Sequence, residues 1–98
     1  MDINELRTRI DSVDSELIDL FKKRMNLSAQ VAEYKRQNNL PVLDAIRERQ
    51  KLADVSEQAG EDMSSYVFEL YSLILEMSRS YQNTILYPTS EMKEVQMQ

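Results

Sequence analysis

The apolar positions between Leu6 and Tyr34 form one helical stripe. Leu6, Ile10, Val13, Leu17, Leu20, Leu27, Val31 and Tyr34 step alternately by four and three, and the single gap, position 24, holds an arginine. Residues 4–38 contain no proline or glycine, so nothing interrupts one long helix. Asp2 and Asn4 are its candidate N-caps. It ends before Asn38-Asn39-Leu40-Pro41, because asparagine accommodates cap conformations and proline forces its predecessor out of the helical region. Asp44 is a good cap for a second helix running to about Ala59, with Gly60, the only glycine, as its stop. Ser64 or Ser65 caps a third helix of about 20 residues, which carries Val67, Leu70, Tyr71, Ile74, Tyr81 and Ile85 and is ended by Pro88. The remainder, TSEMKEVQMQ, lacks the apolar density to pack. The chain therefore divides into a domain over 1–87 and a tail or linker over 88–98.

The length of the first helix decides the assembly. At about 1.5 Å per residue it spans roughly 50 Å, whereas a compact chain of this size has a radius of gyration of about 13 Å. One monomer cannot cover such a stripe. The expected fold is all-α: three helices, one very long, forming an intertwined homodimer in which two long helices run past each other. Arg24 and Lys35 are 11 residues apart, which puts them on one face of the helix. Arg7 lies on a different face, about 25 Å from Arg24 along the axis. In an antiparallel pair crossing near Ser15, residues whose numbers sum to about 31 face each other. Arg7 of one chain then approaches Arg24 of the other, giving two equivalent sites built from both chains.

Composition narrows the chemistry. The 98 residues include 42% hydrophobic and 30% charged side chains, as expected of one soluble globular domain. Twelve Lys and Arg against 17 Asp and Glu give a net charge of −5, which argues against nucleic acid or an anionic membrane as a partner. Any anion it binds needs a local basic pocket. With no cysteine and no histidine there is no disulfide framework, thiolate, His-based triad or ordinary zinc site. The polar start shows no secretory signal and no membrane span is visible, so a cytoplasmic address is expected.

Polar residues within apolar stripes are the candidates for function. Arg24 interrupts the long seam, and its structural alternative is a snorkelling or salt-bridged surface arginine. Asp44, Arg47, Glu48 and Lys51 share one face of the second helix, where a solvated face laced with ion pairs is the alternative. On the third helix Leu75, Ser78, Gln82 and Ile85 share a stripe, so a hydroxyl and an amide interrupt a core face one turn apart. A structural hydrogen-bond pair would explain those two. Together these groups offer a cationic, hydroxyl- and amide-lined pocket without a nucleophile, a metal cluster or a glycine-rich phosphate loop, which suits a small polycarboxylate.

The stretch LRTRIDSVDSELIDLFKKRMNLSAQVAEYK, the segment PVLDAIRERQ and the ending LILEMSRSYQ resemble, in strict spacing, the chorismate mutases of the all-helical AroQ type. The resemblance covers roughly residues 5 to 85. It implies that chorismate is rearranged to prephenate in aromatic amino-acid biosynthesis, with no cofactor. It further implies that Arg7 crosses over from the neighbouring subunit, that Arg24 is the main carboxylate clamp, and that Lys35 contacts a carboxylate and the ether oxygen. Asp44, Arg47 and Glu48 match the second-helix group, with Glu48 on the ring hydroxyl and Arg47 ordering the acidic side chains. Ser78 matches a hydroxyl near a carboxylate, and Gln82 the amide donor to the ether oxygen. Lys35, Gln82 and Arg24 are thus the expected catalytic residues. Met77 and Arg79 depart from the family's pattern, and Arg79 is left between pocket and solvent. The extension past the usual end leaves room for a fused second domain. An isochorismate-pyruvate lyase uses a similar scaffold and lysine and is one alternative; a non-catalytic helical dimerisation or regulatory module is the other.

Overall fold

The computed structural model describes residues 1–87, so the tail expected over 88–98 lies outside the described residues. Three helices follow in order: α1 (Ile3–Gln37), α2 (Ala45–Ala59) and α3 (Ser64–Leu86). No strand occurs among the described residues. The fold is all-α, as the periodicity predicts.

Local chemistry sets each end of α1. Asp2 accepts the Glu5 N–H through Oδ1 at 2.8 Å, which makes it the N-cap in preference to Asn4. At the other end Asn39 adopts φ 55°, and the Leu40 N–H reaches the Lys35 carbonyl (2.8 Å) while the Asn39 N–H reaches that of Arg36 (3.4 Å). This is a Schellman closure with asparagine at the left-handed position usually held by glycine. In the exposed last turn Arg36 hydrogen-bonds Glu33 and holds its carboxyl below the usual range. Asn39→Ala should lower unfolding stability by about 1 kcal/mol in urea titrations at fixed protein concentration, because a Cβ-bearing residue without a locally bonding side chain is strained at positive φ. Asn39→Gly should be neutral or slightly stabilising.

Asp44 caps α2 through the Arg47 N–H at 3.0 Å, and Gly60 ends it at φ 82°. The start of α3 differs from expectation. Met63 is the N-cap, with no side-chain hydrogen bond, and Ser64 is already inside the helix. The Val67 N–H is met by the Met63 carbonyl instead, and the turn from Gly60 to Met63 closes through backbone alone. The buried side of α3 is the expected stripe in which a hydroxyl and an amide interrupt a core face, although not all of the helix's apolar set joins it. Leu75, Ser78 and Gln82 are buried, whereas Leu70 and Tyr81 remain exposed.

Both α1 and α2 pack on α3. Among the described residues the apolar interior is small: Ala32, Val55 and Leu75 are its buried members, and no large side chain is fully enclosed. The chain is 52 Å long with a radius of gyration of 17.1 Å, well above the value of about 13 Å for a compact chain of this length. All eight seam residues of α1 stay between 44% and 62% exposed, and every residue before Arg24 is exposed. The N-terminal half of α1 therefore has no packing partner among the described residues.

Candidate functional site

The C-terminal half of α1 presents Arg24, Ser28, Val31 and Lys35 on one face, at the spacing i, i+4, i+7 and i+11. Where that face meets α3 and the start of α2, they line a cavity of about 200 Å³ together with Val42, Asp44, Arg47, Glu48, Lys51, Leu75, Ser78, Arg79 and Gln82. At about 30 Å³ per liquid water, this holds a small metabolite, not a peptide or nucleotide chain.

Seven of the eight residues expected from sequence meet here: Arg24, Lys35, Asp44, Arg47, Glu48, Ser78 and Gln82. Arg7 does not. It lies on the exposed N-terminal part of α1, about 25 Å along the helix from Arg24.

The hydrogen bonds show how the polar groups are held. Arg24 Nη1 donates to Ser78 Oγ at 2.8 Å, and the guanidinium stands 5.9 Å from the centre of the Tyr71 ring. Fork and ring face fix the arginine from two sides. Ser78 Oγ has only the Met25 sulfur, at 3.9 Å, as acceptor for its own proton, a weak partner that a carboxylate would readily displace. Gln82, buried at 7% exposure, donates through Nε2 to the Ser28 carbonyl at 3.0 Å, which orients the amide and leaves its second N–H as a donor for a ligand. Lys35 Nζ donates to the Val42 carbonyl at 2.7 Å, tying the ammonium to the loop that follows the Asn39 turn. Two of its three donors remain for a ligand.

Within the second-helix quartet Asp44 and Arg47 are exposed, while Glu48 and Lys51 are half-buried. Glu48 pairs with Arg79 on α3, not with Arg47 or Lys51 on its own helix. Arg79 therefore faces the cavity. Arg79 and Ser28 are the lining residues that carry polar groups and that the sequence did not assign. The Ser28 signal was available in its spacing from Arg24 and Lys35. No comparable signal existed for Arg79, whose direction depends on how α3 is rotated against α2.

Five cationic side chains and two carboxylates line the cavity, within a chain of net charge −5. The fold and site define a helical protein with a cation-rich pocket of small-metabolite size. The chain belongs to the family described as chorismate mutase type II, which matches residues 6–83. It is 31% identical over 88 residues to a bifunctional chorismate mutase/prephenate dehydratase of Buchnera aphidicola subsp. Schizaphis graminum, covering 87% of this chain and 23% of that protein. It is 25% identical over 88 residues to a chorismate mutase of Methanocaldococcus jannaschii, covering 87% of this chain and 88% of that one. A 4-amino-4-deoxychorismate mutase of Streptomyces venezuelae is 28% identical over 82 residues, 80% of this chain and 79% of that one. The chain spans only 12% to 23% of the longer curated relatives it matches. No solved structure matched it significantly.

Proposed function

We propose that this chain rearranges chorismate to prephenate, the step that commits chorismate to phenylalanine and tyrosine, as a cytoplasmic homodimer. The observation that carries the reading is the convergence of Arg24 and Lys35 from α1, Glu48 from α2, and Ser78 and Gln82 from α3 on one cavity of metabolite size. The reaction is pericyclic: one carbon–oxygen bond breaks as one carbon–carbon bond forms, within a single molecule. No proton, nucleophile or cofactor is required.

The protein's part is geometric and electrostatic. Arg24 takes one carboxylate in a bidentate pair, with Ser78 beside it, and Lys35 reaches both a carboxylate and the ether oxygen. Lys35 and Gln82 place their donors where negative charge grows on that oxygen as its bond stretches. Glu48 accepts the ring hydroxyl, and Asp44 and Arg47 complete the wall. Held this way, the extended dianion is confined to its chair-like reactive fold.

The pocket is completed by a second copy of the chain. The exposed apolar seam of α1 supports this, since a row of exposed apolar side chains about 40 Å long requires cover. An antiparallel partner crossing near Ser15 both covers the seam and carries its Arg7 to the Arg24 end of the cavity. The length of the bifunctional relatives supports a larger native protein in which a further domain follows.

The test is turnover of chorismate by the purified chain, with isochorismate assayed in parallel. Chorismate should disappear as prephenate forms one for one. Pyruvate release from isochorismate without prephenate formation would instead make the chain a lyase. Inertness toward both, with no calorimetric binding of a bicyclic transition-state mimic at millimolar concentration, would make it a non-catalytic module. The name of the Streptomyces relative brings a second reading, the same rearrangement of 4-amino-4-deoxychorismate.

A further inference from the structure

Arg79 reaches the cavity from α3 and stands apart from the clamp formed by Arg24 and Lys35. Its Nη1 pairs with Glu48 Oε1 across the α2–α3 contact, with the two side chains 33% and 21% exposed. Glu48 is one of two carboxylates on the lining. The other, Asp44, is engaged through Oδ1 as the cap of α2. A substrate whose one hydrogen-bond donor is a ring hydroxyl therefore meets, at Glu48, the carboxylate not committed to the backbone.

We propose that Arg79 is a specificity-determining residue: paired with Glu48, it selects a hydroxyl over an amine on the ring carbon that faces them. The inference rests on the rearrangement proposed above. A hydroxyl donates and accepts, so it can donate to Glu48 and accept from Arg79 while the ion pair stays intact. An amine at the same carbon is protonated near neutral pH and has donors only. It finds the charge of Glu48 already offset and a guanidinium with nothing to accept from it. Arg47 and Lys51 on the same wall add to the repulsion. Arg79 thus leaves the cavity open to the second substrate's shape and closed to its charge.

The experiment compares kcat/KM for chorismate and 4-amino-4-deoxychorismate in the wild-type chain and in Arg79→Gln, Arg79→Lys and Glu48→Gln, with folding followed by circular dichroism. The wild type should favour chorismate. Arg79→Gln should shift the ratio toward the amine by about tenfold or more, the scale of one partly shielded charge contact. Arg79→Lys, which keeps the charge, should hold the ratio within about threefold of wild type. Glu48→Gln should move the ratio the opposite way, because it leaves the charge of Arg79 uncompensated. This variant carries the test if Arg79→Gln fails to fold. A wild type that prefers the amine, or ratios unchanged across folded variants, would overturn the inference while leaving the rearrangement standing. A wild type inactive on both compounds would remove the proposed reaction and the inference with it.

Discussion

Arg7→Ala and Arg24→Ala homodimers should each be nearly inactive, and unfolding and refolding the two together should restore up to about a quarter of wild-type activity. On the proposed site, each substitution would leave one substrate carboxylate without its arginine. Removing one partner of a desolvated charge pair costs about 2–5 kcal/mol, enough to lower kcat/KM by a factor of roughly 10² to 10³. The recovery depends on where Arg7 sits. It occupies the bare N-terminal part of α1, far from the cavity its own chain forms. If it serves the partner's cavity, a dimer with one chain of each variant has one doubly damaged site and one intact site. Equal mixing makes about half the dimers mixed, hence about a quarter of all sites intact. Arg24→Ala also removes the bond to Ser78 and the contact with Tyr71, so the fraction of mixed dimers must be measured by native mass spectrometry. Mixed dimers in the expected proportion with no recovered activity would mean that Arg7 and Arg24 do not meet across the interface.

The features legible in the sequence were those fixed within one helix. The four-three spacing from Leu6 to Tyr34 gave α1 its length and its bare seam, and the shared face of Arg24 and Lys35 placed both on the cavity wall. Asp44 and Gly60 marked the ends of α2 because capping is a matter of a few consecutive residues. What was missed depends on how helices sit against each other. The stripe of Leu75, Ser78 and Gln82 is buried as expected, but the phase of α3 about its axis leaves Leu70 and Tyr81 exposed and brings Arg79 to Glu48. Periodicity defines a stripe but not which edge of it faces a given neighbour. The capping serines were misread for a related reason: the turn from Gly60 to Met63 closes with backbone bonds and requires no hydroxyl.

Lys35→Ala should lower kcat by a factor of about 10² or more, the scale of removing one oxyanion donor, with a smaller change in KM. The Lys35 ammonium donates to the Val42 carbonyl and is held at the cavity by the Asn39 turn. It is therefore positioned before substrate arrives and requires little reorganisation during the reaction. In the proposed reaction, binding the ground state would engage it mainly through a carboxylate, a contact that Arg24 and the partner's cation would partly duplicate. The ether oxygen acquires negative charge only as its bond to carbon stretches, so the donor's strongest interaction belongs to the transition state. Gln82, held by the Ser28 carbonyl, would offer a neutral N–H to the same oxygen in the proposed reaction and should preserve some of the stabilisation when Lys35 is absent. Steady-state kinetics on the folded variant separate the two roles. A rise in KM with kcat unchanged would assign Lys35 to binding alone, and the charge developing on the ether oxygen would then have to be met by Gln82.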